Sequence, residues 1–271
     1  MVAGRLFEWI DLWCYARSKL AWDPVYEALY EATRDSSLPL SDLGCGIGLL
    51  GFYLRERGLT FPIVGVDVDS RKIGVARLVA RRAYQGVTYT LGDASTADPS
   101  PGNIALLDVI LYYPWEIQSE WLLRLASQLP KGASIFIRVG VRDRSLRYGI
   151  TRVQDQLARR SRWINEPTLH FPAKEDLLAL FDPEQFDCRA TPLWGTTPFN
   201  SYFFTITRRW EHGHSARVGE GQRTGKVVLL KEHGHSARVG EGQRTGKVVL
   251  LKEHGHSARV GEGNGLESPF S

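Results

Sequence analysis

The sequence of 271 residues has few cysteines, little net charge and no long apolar run, and each shortage excludes a class of protein. Cys14, Cys45 and Cys188 are widely spaced and form no CxxC pair, which predicts reduced thiols rather than a disulfide framework. No apolar run reaches the ~18 residues that a membrane span needs, so we expect no stable membrane insertion. Glu8 and Asp11 interrupt the first apolar positions, which argues against a signal peptide and predicts a cytoplasmic protein. The net charge of +4 is too small to indicate nucleic-acid binding by itself.

The end of the chain is a tandem repeat that offers little apolar surface. A unit of 21 residues begins at Glu211, begins again unchanged at Glu232, and is cut short in a third copy. Each unit has one apolar cluster, Val-Val-Leu-Leu, which is too small to offset the entropy of the chain. Its paired histidines lack a fixed third ligand, so we expect no resident metal ion. We predict N-terminal helices at 1–37, one folded domain at 38–210 and a disordered tail at 211–271.

A glycine-rich stretch, Leu40–Gly51, carries the strongest functional signal in the folded part. Its sequence, LSDLGCGIGLLG, predicts a short strand, a turn and a helix that starts near Ile47. Gly44, Gly46 and Gly48 remove every Cβ from one side of the turn, which would let a ligand approach the main chain closely. The helix would present unpaired N–H groups above the turn. Together these elements indicate a site for a nucleotide-type cofactor.

Two classes of cofactor compete for this turn. The run Gly46-x-Gly48-x-x-Gly51 satisfies the dinucleotide pattern, although one such match is weak evidence. Asp42 stands two residues before Gly44, and an acid at the entrance of the turn suits a cationic ligand better than a pyrophosphate. S-adenosylmethionine (SAM) is such a ligand, because it carries an ammonium and a sulfonium and has no phosphate. The turn therefore favours SAM, and an NAD(P)-dependent oxidoreductase remains an alternative.

Further acids follow the next predicted strands. Asp67 ends the apolar run Phe61–Asp67 and could accept from both ribose hydroxyls, which NAD and SAM share. Asp93 follows a third predicted strand, Val87–Leu91, and could accept from an adenine amino group. A fourth apolar run, Ile104–Leu111, is predicted to be a buried strand. Strands alternate with helices along this part of the chain, which predicts a parallel sheet with helices on both faces.

In their order and spacing these motifs resemble the class I SAM-dependent methyltransferases. The matching runs are DLGCGIG at 42–48, GVDVD at 65–69, GDA at 92–94 and LDV at 107–109. The resemblance implies a Rossmann-like α/β fold with a mostly parallel, seven-stranded sheet, an antiparallel last strand and an N-terminal helical lid. It implies methyl transfer from SAM as the activity. The cofactor-binding residues it implies are Asp42, Gly44, Cys45, Gly46, Gly48, Asp67, Val68, Asp93, Ala94 and Asp108.

A closer likeness is to methyltransferases of bacterial aryl-polyene and related fatty-acid or polyketide pigment clusters. It rests on Lys19–Tyr26, Leu107–Tyr113 and Gly195–Asn200. That subfamily usually carries histidine where this sequence has Tyr112, so the chain departs from the pattern there. The likeness implies a small aromatic, polyene or acyl acceptor, either free or bound to a carrier protein.

Three residues are candidates for catalysis, namely Tyr112, Asp108 and His170. A general base is needed only if the acceptor must lose a proton. Asp108 has two open interpretations: it could lie under the methionine part of SAM, or it could be a core residue satisfied by backbone groups. His170 is the one histidine before the tail, and it could be a base in the lid or a structural loop residue.

Nucleic acid is the main rival to a small acceptor. The run Tyr112-Tyr113-Pro114-Trp115 fails the Asn/Asp-Pro-Pro-Tyr/Trp motif of nucleic-acid amino methyltransferases at its first two positions, which argues against such a substrate. Eight arginines lie within 138–162 and keep a nucleic-acid methyltransferase as an alternative, because they could contact phosphates. They could equally meet an acidic carrier protein or solvent.

Overall fold

The computed structural model describes most of the predicted domain. The described residues are 12, 14–160, 169–195 and 197–210. The tail at 211–271 and the first part of the predicted lid lie outside them, so their predicted order and role stay predictions. No helix within the described ranges has both the length and the apolar character needed to cross a bilayer.

Seven strands form a single mixed sheet. In chain order they are β1 (Leu40–Leu43), β2 (Ile63–Asp67), β3 (Val87–Leu91), β4 (Asn103–Leu107), β5 (Ser134–Gly140), β6 (Phe186–Pro192) and β7 (Ser201–Arg208). Their spatial order is β3-β2-β1-β4-β5-β7-β6. The first five strands pair in parallel, and β7 lies antiparallel between β5 and β6. This arrangement confirms the predicted sheet and its inserted antiparallel strand.

Helices cover both faces of the sheet. They are α1 (14–22), α2 (Val25–Thr33), α3 (Leu49–Glu56), α4 (Ser70–Ala83), α5 (Trp115–Gln128), α6 (Leu146–Arg160) and α7 (Lys174–Ala179), with a short 3₁₀ helix at Ile110–Tyr112. The side chains of β5 alternate between two apolar clusters, because Ile135 and Ile137 pack with α5 and Phe136 packs with α2, α3 and α4. A strand buried on both sides reads as a continuous apolar run, as β5 does.

Two element boundaries differ from the sequence-based prediction, and both differences shape the site. The fourth strand ends at Leu107 rather than Leu111, because Asp108 adopts a left-handed φ of 58° and turns the chain into the 3₁₀ helix. The helix after the glycine turn begins at Leu49 rather than near Ile47, because Gly48 has a φ of 81°. Both turns lie at the carboxyl edge of the parallel strands, where open α/β sheets bind ligands.

Candidate cofactor site

The three glycines of the turn all have left-handed backbones, but they make room for different neighbours. A Cβ at Gly44 would collide with Val109, and a Cβ at Gly48 would collide with the ring of Tyr89. A Cβ at Gly46 would meet nothing within 4 Å. The sequence suggested that all three glycines make room for a ligand, and this prediction is wrong for Gly44 and Gly48. Gly46 leaves open space, whereas the other two accommodate side chains of the protein itself.

Tyr89 is the side chain around which the turn is packed. It is 4% exposed, and its hydroxyl donates to the carbonyl oxygen of Gly48 at 2.8 Å. A Cβ at Gly51 or Gly65 would lie 2.5 Å from its side chain, so these two glycines also accommodate it. Burial raises the pKa of Tyr89, which keeps the hydroxyl protonated and able to donate. The sequence analysis did not identify this role. The available signal was a bulky aromatic residue in a predicted strand, which could pack against a glycine-rich turn elsewhere in the chain.

The main-chain amides of the turn are already used inside the protein. The N–H groups of Gly44 and Cys45 both donate to the carbonyl of Val66, at 2.7 and 3.0 Å. The N–H of Gly46 donates to the carboxylate of Asp67 at 2.8 Å. The turn itself therefore offers no free amide at these three positions, and the expected unpaired N–H groups of the following helix remain a prediction. A pyrophosphate would have to compete with existing hydrogen bonds here.

A cavity of about 190 Å³ opens beside the turn, and most of the predicted site residues border it. The predicted residues that border it are Asp42, Gly44, Cys45, Gly46, Asp67, Asp108 and Tyr112. Gly48, Val68, Asp93, Ala94 and His170 do not border it. Residues that the sequence did not assign to a cofactor also line its walls, among them Tyr15 and Lys19 of α1, Tyr26 of α2 and Arg138 of β5.

Asp42 is the most unusual group in this cavity. It is 2% exposed, and its carboxylate has neither a hydrogen bond nor a salt bridge to any described residue. Burial, together with the nearby charge of Asp67, raises the pKa of Asp42 to about 7. A buried carboxyl without a partner is costly, so a group that faces a cavity in this state suits a cationic ligand.

Asp67 holds the turn and retains capacity for a ligand. It is 8% exposed and accepts from the amides of Gly46 at 2.8 Å and Asp69 at 2.9 Å. A carboxylate has about four lone-pair sites, so two hydrogen bonds leave room for hydroxyl donors. The residue predicted to bind ribose thus also fixes the position of Gly46.

A network of charged side chains forms part of the wall of the cavity. The guanidinium of Arg138 contacts the carboxylate of Asp108 and lies 3.5 Å from that of Asp23, and Lys19 lies 2.9 Å from Asp23. Burial alone would raise the pKa of Asp23, but Arg138 and Lys19 hold this pKa below its ordinary value. The side chain of Asp108 is 35% exposed and ion-paired, so its interpretation as a core residue satisfied by backbone groups is wrong.

The two N-terminal helices occupy different places in the structure. Helix α2 is part of the core, because Val25 and Leu29 are 2% and 0% exposed. Helix α1 instead contributes Tyr15 and Lys19 to the wall of the cavity. A lid role therefore concerns α1, and it remains a prediction.

Three predicted cofactor residues lie beyond the cavity, after β2 and β3. Val68 is 68% exposed, whereas Ala94 is buried in the core. The carboxylate of Asp93 accepts from the amide of Ser95 at 2.8 Å and from the hydroxyl of Tyr113 at 3.2 Å. Val68 follows β2, which pairs with β1, whereas Asp93 and Ala94 follow β3 on the other side of β2, so their predicted contacts with adenine remain a proposal.

His170 and the described arginines are divided between the two cavities and other protein contacts. His170 borders a second cavity, and its amide donates to the carbonyl of Leu111 at 2.8 Å. Arg138 lies in the first cavity, while the guanidinium of Arg147 lies 4.5 Å from the ring of Trp194. The side chains of Arg159, Arg160 and Arg162 fall outside the described part. Arg142 and Arg152 line the second cavity together with His170.

Comparisons with known proteins agree with this fold. No family model matches the sequence. The ribosomal protein L11 methyltransferase of Burkholderia ambifaria is 41% identical over 56 residues, which is 21% of this chain and 18% of that protein. The magnesium-protoporphyrin O-methyltransferase of Synechocystis is 30% identical over 99 residues, which is 34% of this chain and 42% of that protein. The chain thus spans less than half the length of these curated relatives.

Two crystal structures show the same architecture over a larger part of the chain. Magnesium protoporphyrin IX methyltransferase from Synechocystis with bound SAH has a TM-score of 0.52 and 20% identity, covering 67% of this chain and 79% of that one. The SAM-dependent methyltransferase SibL in its apo form has a TM-score of 0.56 and 15% identity, covering 73% and 57%. The chain therefore has the Rossmann-like fold of the class I SAM-dependent methyltransferases.

Proposed function

We propose that this protein binds SAM in the cavity beside the glycine turn and transfers its methyl group to a small acceptor. One observation carries the proposal: Asp42 is buried, borders the cavity and has no cationic partner among the described residues. The methionine part of SAM has an ammonium group that would supply this partner. The resemblance of the sequence motifs and the methyltransferase fold support the same cofactor.

The cavity is poorly suited to a dinucleotide. A pyrophosphate would approach the carboxyl groups of Asp42 and Asp67, and like charges at short range are unfavourable. It would also find the amides of Gly44, Cys45 and Gly46 already occupied. These two features favour SAM over NAD(P) on physical grounds.

Different residues of the site would bind different parts of the cofactor. Asp42 would pair with the ammonium, and Asp67 would accept from ribose hydroxyls while it holds Gly46 in place. Asp93 and Val68 would serve the adenine end, beyond the cavity. When bound, SAM supplies an electrophilic methyl group.

Catalysis would consist mainly of positioning and the exclusion of water. Orienting the acceptor against the methyl group lowers the barrier, and a dry site helps because positive charge disappears during the transfer. Tyr112 and Asp108 border the cavity and remain the candidates for assisting an acceptor that must lose a proton. Asp108 is already ion-paired with Arg138.

The chemical class of the acceptor is also part of the proposal. On the sequence likeness to pigment-cluster enzymes we propose an aromatic, polyene or acyl acceptor, free or attached to a carrier protein, in the cytoplasm. Arg138, Arg142 and Arg152 line cavities and Arg147 contacts Trp194, which favours such an acceptor over nucleic acid. Salt-sensitive retention on heparin would count in favour of the nucleic-acid alternative.

Titration calorimetry with SAM and with NADH tests the cofactor. We expect heat with SAM alone, and Asp42→Asn should weaken SAM by about tenfold or more, because a charge-assisted contact is lost. Asp98→Asn is the matched control, since Asp98 is exposed and does not border the cavity. Heat with NADH and none with SAM would overturn the proposal. SAM binding without turnover of phenol, carboxylate or carrier-bound acceptors would instead indicate a binding domain.

A further inference from the structure

The second cavity is large enough for a small molecule and is not used by the proposed cofactor site. It has a volume of about 410 Å³ and lies between the start of α5, the loop after β5, α6 and the segment that leads into α7. Small-molecule sites typically have volumes of about 300–1,000 Å³. The size and the position at the carboxyl edge of the sheet are those of a ligand site.

Three aromatic side chains form the apolar walls of this cavity. Trp115, Tyr148 and Phe171 all border it, and the rings of Tyr148 and Phe171 meet edge to face at 5.9 Å. Phe171 is seated against the sheet, because a Cβ at Gly140 would lie only 3.1 Å from it. Such fixed aromatic walls suit a ligand with a planar, apolar body.

Positive charge dominates the polar part of the lining. Arg142 and Arg152 both border the cavity, and Asp176 is the one acid among the described lining residues. Arg142 lies 3.8 Å from Asp176, but their side chains are 61% and 52% exposed, so this pair is weak. Arg152 forms no salt bridge with any described acid. Two guanidinium groups with little compensation favour a carboxylate or phosphate on the ligand.

Gln118 is a buried polar residue in the wall of this cavity. It is 0% exposed and borders the cavity, and its Nε2 donates to the carbonyls of Tyr113 at 2.8 Å and His170 at 2.9 Å. Those two acceptors define which end of the amide is nitrogen. Its Oε1 is buried and has no partner within the described part of the chain. Its amide thus fixes the Tyr113 and His170 carbonyls beside the cavity.

The two cavities are adjacent along the chain. Tyr112 borders the cofactor cavity and Trp115 borders the second one. Three residues span at most about 11 Å between these Cα atoms. The hydrogen bond from His170 to Leu111 ties the wall of the second cavity to the same 3₁₀ helix. A single elongated ligand, longer than about 11 Å, would therefore reach both cavities.

We propose that the second cavity is the acceptor site and that it selects an elongated, planar acceptor with an anionic end. Arg142 and Arg152 bind the carboxylate or phosphate, the aromatic walls hold the body, and the reactive end extends past Tyr112 towards the methyl group. This inference rests on the proposed methyl transfer and specifies the chemical class of its acceptor.

Calorimetric titration with a matched pair of ligands tests this assignment. The probes are para-hydroxybiphenyl carboxylate and the corresponding carboxamide, which share one body and differ in charge. We expect the carboxylate to bind about tenfold more tightly or better, because it gains charge-assisted hydrogen bonds. The matching aryl phosphate, run in parallel, shows which of the two anions the site prefers.

Variants of Arg142 and Arg152 test whether these two residues bind the carboxylate of the probe. In a double variant, R142Q with R152Q, the carboxylate should lose its advantage over the carboxamide. Arg81→Gln is the matched control, because Arg81 is exposed on α4 and should leave the preference unchanged. Circular dichroism and the melting temperature establish that each variant is folded. SAM is titrated separately in each of them, and its affinity should not change.

Two results would overturn the acceptor assignment while leaving the cofactor proposal intact. One is equal affinity for carboxylate and carboxamide, and the other is an unchanged preference in the folded double variant. If SAM fails to bind and the arginine-dependent preference persists, the proposed methyl transfer fails, and the cavity stands as a site for an anionic ligand.

Discussion

Replacing Asp42 by asparagine should stabilise the unliganded protein while it weakens SAM. The pKa of Asp42 rises from 3.8 to about 7 because of burial and the charge of Asp67. This difference is roughly three units, and each unit corresponds to about 1.4 kcal/mol, so the buried charge destabilises the folded state by up to about 4 kcal/mol. Asparagine has nearly the same shape and no charge to bury.

The sign of the pH dependence follows from the raised pKa. The stability that belongs to the neutral carboxyl is fully present below the unfolded value near 4, and it is lost as the pH rises through the folded value near 7. The variant has no such loss. The free energy of unfolding of the variant minus that of the parent should therefore grow by about 3 kcal/mol between roughly pH 5 and pH 8.

Urea unfolding at the two pH values measures this difference, with Asp98→Asn as the control at an exposed carboxyl. Excess SAM should shrink the advantage of the variant at the higher pH, because the bound ammonium lowers the pKa of Asp42 and stabilises the parent through binding. A variant that is less stable than the parent at the higher pH would refute the reasoning. So would an advantage that does not change with pH.

Four further substitutions test the site and the packing around it. Asp67→Asn should weaken SAM by about tenfold or more in a calorimeter, because a charged acceptor for the ribose is lost, and unchanged affinity would remove Asp67 from the site. Gly48→Ala should lower the free energy of unfolding in urea by about 2 kcal/mol or more, since its φ is 81° and its Cβ would collide with Tyr89. Gly74→Ala, in a helix with open space around the new Cβ, should raise it by about 0.5–1 kcal/mol, and the reverse order would contradict the packing described. Arg138→Gln should lower it by about 1–2 kcal/mol, because Asp108 loses its close partner and Asp23 keeps only Lys19, and a neutral effect would show that the ion network is not structural.

The fold was largely predictable because local and global signals agree along this chain. The predicted bounds of β3 match the structure, and β5 alternates between the two faces as a central strand should. The fourth strand was overextended, since the apolar run Ile104–Leu111 continues through Asp108 with no glycine or proline to mark the turn. Apolar character cannot distinguish a strand from the buried 3₁₀ turn that follows it.

The site was predictable only where a motif placed residues close in sequence. Asp42 and Gly46 came from the glycine turn, and Asp67 from the end of the next strand. Arg138 instead looked like one member of a basic run, because its pairing with Asp23 and Asp108 joins segments far apart in sequence. Tertiary contacts of that kind leave no periodic signal for a single sequence to show.

A crystal structure of the complex with SAM tests the central claim most directly. We predict the methionine ammonium within hydrogen-bonding distance of the Asp42 carboxylate, about 3 Å, and a ribose hydroxyl on Asp67. SAM bound elsewhere, with Asp42 still unpaired in its cavity, would contradict the claim that this buried acid is the cofactor's anchor.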